Sequence, residues 1–186
     1  MTANPPIPRL ITAEEFSRMP DDGTIQELVK GRIVRMPPPL SFHGLVCVEF
    51  ILALGEFVRS HDLGRVFSND SGVITERDPD TVRGADVCFY RKDRLPAELP
   101  RDRYLDIVPD LVVEVKSPSD RWQKVLGKIS EYLTAGVQIV IVADPKTDSA
   151  IVYRDEGLPQ TFGPTDTLTI PDLLPGFSVQ VAKFFK

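Results

Sequence analysis

Apolar residues recur at helical spacing in two long stretches of the chain. After the prolines at positions 37–39, Leu45, Val46, Phe50, Ile51, Leu54 and Phe57 mark a long amphipathic helix with Ser41 as its cap. Trp122, Val125, Leu126, Ile129 and Leu133 fall at i, i+3, i+4, i+7 and i+11 of a second helix that begins near Asp120, and Gly136 stands where a helix C-terminus favours glycine. A shorter helix opens at "TAEEF", where Glu15 follows Thr12 by three positions in the capping-box pattern, and it ends before "PDDG". The remaining apolar runs are short and read as strands. "IQELV" and "RIVRM" flank Lys30-Gly31 as a β-hairpin, and "GRVFS", "GVITE" and "ADVCFY" are three strand-like pieces. A charged, proline-containing surface excursion runs from Arg91 to Pro109. "PDLVVEVKSPSD" then holds a further strand, "VQIVIVAD" is apolar on both faces as a central strand is, and "AIVYR" beyond "DPKTD" is its hairpin partner. The order β-β-α-β-β-β-β-α-β-β predicts a mixed α/β fold, with one mixed β-sheet flanked by helices.

Composition narrows this further. A chain of 186 residues, 42% of them hydrophobic, suits one domain spanning 1–186, with residues 1–10 as a flexible lead. The start "MTANPPIPRL" carries prolines where a signal peptide has its apolar region, and no apolar run reaches the roughly 18 residues of a membrane span, so a cytoplasmic protein with no membrane partner is expected. Cys47 and Cys88 have no CxxC spacing and no neighbouring histidine pattern, which makes two ordinary reduced thiols the expectation. With 22 basic and 27 acidic residues the net charge is −5, which argues against a surface that coats nucleic acid nonspecifically but leaves room for a local basic patch.

One strand carries charges that its apolar neighbours do not explain. Side chains alternate along a strand, so Leu111, Val113 and Val115 face one way while Asp110, Val112, Glu114 and Lys116 face the other. Burying an ionised carboxylate costs several kcal/mol unless a cation or hydrogen bonds compensate. An exposed edge strand would avoid that cost, but valines on both faces fit a covered strand better. A divalent cation would account for Glu114, and the Lys116 ammonium one pleat further on would stabilise charge on a phosphoryl oxygen. Asp110 lies roughly 13 Å from Glu114 along the strand, too far to share an ion. Asp86, in the strand-like run before it, reaches Glu114 if the two strands pair. Its alternative is a turn aspartate.

The triplet Glu114-Val115-Lys116, with Asp86 on the preceding strand, resembles the metal site of the PD-(D/E)xK nuclease superfamily, whose fold is that of restriction endonucleases. Six motifs in order narrow the resemblance to the Uma-two family: "ELVKGRIV", the helix carrying His43, "GADVCFY", "PDLVVEVKSPSD", "KISEYLTAGV" with "IVADP", and "LLPGFSVQV". They cover the chain from about Thr12 to Phe185. The resemblance implies a restriction-endonuclease-like core with extra N-terminal and C-terminal hairpin strands. It also implies an endonuclease that hydrolyses phosphodiester bonds in DNA with Mg²⁺, or Mn²⁺ in its place. Asp86 and Glu114 would be the carboxylate ligands, the Val115 carbonyl a further ligand, and Lys116 would orient or activate the attacking water. Many relatives lack a lysine at this third position, and this chain keeps it. Ala85 precedes Asp86 where the superfamily's name has proline, and the literal Pro109-Asp110 is assigned a structural role.

Supporting positions follow from the same resemblance. Glu27 is either an outer metal ligand or a solvated strand residue. Lys124, Lys128 and Tyr132 form a stripe at i, i+4 and i+8 that would face a phosphate backbone. His43, in the first turn of the long helix, matches a family position and would bind substrate or serve capping or packing, with a helix N-terminus favouring its neutral ring. His61 is surface decoration, and Ser117 and Ser119 would cap the second helix. A homodimer is expected from the habits of restriction-like nucleases. The alternative to catalysis is a nucleic-acid-binding or regulatory protein that keeps the fold without the chemistry.

Overall fold

The computed structural model describes residues 9–186, so residues 1–8 of the expected flexible lead lie outside the described residues. The chain begins with α1 (Ala13–Ser17), whose Thr12 hydroxyl accepts the Glu15 amide while the Glu15 carboxylate accepts the Thr12 amide, the reciprocal capping box expected from "TAEEF". Strands β1 (Ile25–Val29) and β2 (Arg32–Met36) form the expected hairpin. Its two-residue turn holds Lys30 at φ 49° and Gly31 at φ 70°, the pair of left-handed residues that matches strand twist. Helix α2 (Ser41–Ser60) follows, then β3 (Gly64–Glu76), β4 (Thr81–Arg91), β5 (Leu111–Val115), α3 (Trp122–Thr134), β6 (Ile139–Asp144) and β7 (Ser149–Arg154). Three short strands, β8 (Gln160–Phe162), β9 (Thr167–Ile170) and β10 (Leu174–Gln180), precede a closing 3₁₀ turn at Val181–Phe185.

Eight strands make one mixed sheet in the order β2-β1-β4-β5-β6-β7-β8, with β3 on the other edge of β4, while β9 and β10 pair only with each other. Among the described strands only β5 and β6 pair in parallel, joined by α3 as a crossover, and both are wholly buried, as their valine- and isoleucine-rich runs favour. One face of the sheet packs on Val46, Phe50, Leu54 and Val58 of α2 and on the β9–β10 hairpin. There Phe50 stacks on Phe184 with centroids 3.9 Å apart. The opposite face packs on Val125, Ile129 and Tyr132 of α3. Leu111, Val113 and Val115 point to the α2 side and Val112 to the α3 side, as alternation along β5 demands.

The feature that positions the site is a fork in the sheet. Strand β3 follows β4 from Gly64↔Arg91 to Glu76↔Thr81, so β1 and β5 must share the remaining edge of β4. Strand β1 takes Leu28↔Val82 and β5 takes Val87↔Val113 to Phe89↔Leu111. Between these pairings the sheet opens at residues 83–86.

Four local expectations are corrected. "GRVFS" and "GVITE" are halves of one 13-residue strand, interrupted between Ser68 and Ser71 by a bulge whose Asn69 and Asp70 have positive φ. The N-cap of α2 is Leu40 and that of α3 is Arg121, neither with a side-chain hydrogen bond, so Ser41, Ser117 and Ser119 cap nothing. The Ser117 amide instead donates to the Asp120 carboxylate in the turn between β5 and α3. Finally, α2 is long and apolar enough by length and composition to cross a membrane, contrary to the expected absence of such a run. Its apolar residues divide between the core and an exposed stripe of Leu45, Val48 and Leu52.

Candidate active site

The fork is the floor of a cavity of about 660 Å³. Glu27 enters from β1, Asp70 from the β3 bulge, Asp86 from β4, Glu114 from β5, His43 from the first turn of α2 and Lys128 from α3. Sequence neighbours contribute almost nothing to this cluster. Each side chain arrives on a different element because the fork is where those elements meet.

Asp86 and Glu114 come together as strand pairing requires, since the register Val87↔Val113 extended by one residue sets them opposite each other. The Asp86 Oδ2 accepts the Val115 amide at 2.6 Å and lies 3.3 Å from His43 Nε2, so both contacts fall on one oxygen. Glu114 is held from α3: Lys128 donates to Oε2 at 2.8 Å and the Tyr132 hydroxyl to Oε1 at 2.8 Å. Burial pushes the Glu114 carboxyl up to about 7, with the Asp86 charge adding to the rise and Lys128 opposing it. Burial disfavours the Lys128 ammonium, but Glu114 and Glu27 outweigh it and raise its pKa.

Glu27 extends the network. It is 2% exposed, and its oxygens face Arg83 at 2.7 Å, Lys128 at 3.1 Å and the Gly84 amide at 3.2 Å. Burial opposes its ionisation, yet Lys128 and Arg83 hold its carboxyl below the usual range. Arg83 is in turn gripped by Glu131 of α3 at 2.6 and 2.8 Å. The solvated-strand alternative for Glu27 thus gives way to a buried one, in contact with Lys128 rather than with open solvent.

The structure separates Lys116 from this network. Its ammonium lies on the cavity wall, 5.4 Å from the Trp122 ring centroid, and its carboxylate partner is Asp144 at 3.7 Å rather than Glu114. Lys128 occupies the place beside Glu114. The stripe expected on α3 splits as well: Lys124 is exposed at the cavity mouth, Lys128 reaches inward, and Tyr132 is fully buried. His43 departs from the neutral ring expected at a helix N-terminus. Burial alone would lower its pKa, but hydrogen bonds to Asp86 and Cys47 and the charge of Asp86 raise it to about 10. Asp110 is structural as expected, fully buried and bonded to Arg91, Arg94 and Gln138 at the far end of β5.

Of two further residues near the site, Asp70 went unread in the sequence and Cys47 was expected only as an ordinary thiol. Asp70 sits exposed on the cavity wall with its carboxyl raised, by the surrounding protein and by Asp86. Only the bulge turns it there, and "SNDSG" resembles an ordinary turn. Cys47 lies four residues after His43 on α2, so the helix turns both toward one side, and its sulfur is 3.5 Å from His43 Nδ1.

The oxygen donors at the fork are of the type a hard divalent cation prefers, although among the described residues the ligand atoms that gather within 4.8 Å of one another are those of His43, Cys47 and Asp86. Asp70, Asp86 and Glu114 line one cavity, and burial first, then the neighbouring Asp86 charge, raises the carboxyls of Asp70 and Glu114. In an extended strand the N–H and C=O of one residue point to the same edge. The Val115 amide is directed at Asp86, so its carbonyl also faces the fork.

Comparisons with known proteins agree with this architecture. The family model Uma2, described as "Putative restriction endonuclease", matches residues 13–182. The crystal structure of "a putative nuclease belonging to DUF820" from Anabaena variabilis ATCC 29413 superposes with a TM-score of 0.79 at 23% identity, covering 94% of this chain and 97% of that one. No curated protein matches the chain. The structural likeness shows a shared restriction-endonuclease-like fold. With carboxylates from neighbouring strands gathered at the fork and the family model matching from the first helix to the closing 3₁₀ turn, this chain belongs to the Uma2 family.

Proposed function

We propose that the protein is a Mg²⁺-dependent nuclease that hydrolyses phosphodiester bonds in DNA, with Mn²⁺ able to replace Mg²⁺. The observation that carries this reading is the juxtaposition of Asp86 and Glu114 across β4 and β5, in a cavity open to substrate. Asp86, Glu114 and the Val115 carbonyl would hold the cation, with Asp70 at hand. When bound, it supplies charge neutralisation at the scissile phosphate.

The chain's own groups do the rest. His43 and the Val115 amide fix the Asp86 carboxylate through Oδ2. Tyr132 and Lys128 fix Glu114, and Lys128 serves the chemistry by holding that carboxylate in place. In this reading Lys128, and not Lys116, is the lysine of the site, while Arg121 and Lys124 at the cavity mouth hold flanking phosphates. Glu27 is a positioning residue, since it anchors Lys128.

Cleavage of plasmid DNA in Mg²⁺ tests this. Asp86→Asn and Glu114→Gln should lower the rate by about 10² to 10³-fold, and Lys128→Ala by a comparable factor, with Lys116→Ala much milder. Full activity in Asp86→Asn would end the nuclease reading, and a severe Lys116→Ala beside a silent Lys128→Ala would return the role to Lys116. A second reading has one observation in its favour: both Glu114 oxygens are already satisfied by Lys128 and Tyr132, as in a closed structural network. A non-catalytic DNA-binding protein would bind DNA yet cleave none with any metal. The expected homodimer remains part of the proposal. Its surface would be the exposed Leu45, Val48 and Leu52 stripe of α2, and sedimentation velocity should show a twofold mass that Leu52→Glu reduces to the monomer's.

A further inference from the structure

From the cluster at the start of α2, we propose that the protein carries a second, chemically distinct metal site, which takes a borderline-soft divalent cation such as Zn²⁺ on His43, Cys47 and Asp86. One ligand atom from each of these residues lies within 4.8 Å of the other two. A tetrahedral zinc centre with bonds of about 2.1 Å to nitrogen and oxygen and about 2.3 Å to sulfur spaces its ligands roughly 3.4 to 3.6 Å apart. The His43 Nε2 to Asp86 Oδ2 separation of 3.3 Å already has that span. The Cys47 sulfur lies 3.5 Å from the other ring nitrogen, Nδ1, and the three ligand atoms lie within 4.8 Å of one another, so gathering them round one ion takes side-chain rotation that closes the gaps by up to about 1.2 Å.

The donor chemistry separates this site from the carboxylate set at the fork. Mg²⁺ prefers oxygen ligands throughout, whereas an imidazole nitrogen and a thiolate sulfur select Zn²⁺ and its neighbours. His43 and Cys47 stand at i and i+4 of a 20-residue helix, the spacing by which helices present two ligands to one ion, and Asp86 is fixed on β4 opposite them. Three protein ligands with one position left open is the coordination of zinc sites that exchange ligands. Ions enter through the cavity, since His43 and Asp86 line it and Cys47 stands directly behind His43. Binding requires a thiolate and a neutral imidazole, so the Cys47 thiol proton and one ring proton of His43 both pass to solvent as the metal arrives. Occupation also takes Asp86 away from the hard-ion set, a consequence that rests on the nuclease reading, although the binding itself does not.

Titration of the full chain with Co²⁺ as the spectroscopic stand-in for Zn²⁺ tests the site without DNA. The wild type should develop a thiolate-to-cobalt charge-transfer band together with the visible bands of a tetrahedral ion, and Zn²⁺ should displace both. The charge-transfer band should vanish in Cys47→Ser and in Cys47→Ala. Circular dichroism and urea midpoints matching the wild type would show that both variants are folded. A wild type without the band, or a folded Cys47 variant that keeps it, overturns the proposal. Inactivity on DNA would leave the band in place, so a failure of the nuclease reading and a failure of this site give different results.

Discussion

A glutamate whose carboxyl titrates near 7 inside the fold and at its ordinary 4.5 outside makes stability depend on pH with a definite sign. Between those values the folded state holds a proton that the unfolded chain has released, so stability falls as pH rises through the window. The full contribution is present below about 4.5 and gone above about 7, a difference of roughly 3 kcal/mol. Other carboxylates titrate nearby, so the measurement is a difference: urea unfolding of wild type and Glu114→Gln at pH 4.5, 6 and 8. The wild type should lose stability relative to the variant across that range. Mg²⁺ at pH 8 should restore part of the loss in the wild type only, because the cation favours the ionised carboxyl. A constant difference between the two proteins would mean that Glu114 titrates normally. His43 adds a separate window of the same direction, with stability lost as pH rises from its ordinary 6.5 to about 10.

At the scale of elements, the sequence made legible what periodicity and pairing determine. Alternation along β5 gave the common face of Glu114 and Lys116, and the antiparallel neighbour gave Asp86 its place opposite Glu114. Periodicity does not say how far a side chain reaches. Lys116 shares Glu114's face yet bends to Asp144, while Lys128, one stripe position on α3, is long enough to reach Glu114 across the sheet surface. The bulge in β3 was hidden for a related reason, because "SNDSG" has the polar composition of a loop although its residues continue a strand. Gly84 is what lets that bulge approach. A Cβ there would lie 3.0 Å from the Asp70 Cβ and 3.3 Å from the Asp70 carbonyl oxygen, and the same glycine's carbonyl receives Lys128 at 3.3 Å. Gly84→Ala should therefore cost about 1 to 3 kcal/mol in urea unfolding and lower cleavage as well. Gly127→Ala on α3, where nothing lies within 4 Å, should stabilise by up to about 1 kcal/mol. Equal effects at the two glycines would show that the bulge tolerates displacement and that the site does not depend on it.

At the scale of the molecule, a chain of net charge −5 must attract a polyanion locally. The buried cations Arg83 and Lys128 cannot provide that attraction, because Glu27, Glu114 and Glu131 already neutralise them. The exposed Arg121 and Lys124 at the cavity mouth can, and their position beside the turn from β5 to α3 sets any phosphate they hold next to the carboxylates. Each phosphate contact with duplex DNA contributes about 0.9 to the slope of log K against log salt concentration. Replacing both residues with alanine should flatten that slope by roughly 1.8 in anisotropy titrations with EDTA present, where no cleavage interferes. Lys128→Ala should leave the slope nearly unchanged, since its charge is spent inside the protein. A steep slope that survives the double substitution would put the DNA on another face of the molecule, away from the fork, and separate binding from the proposed chemistry.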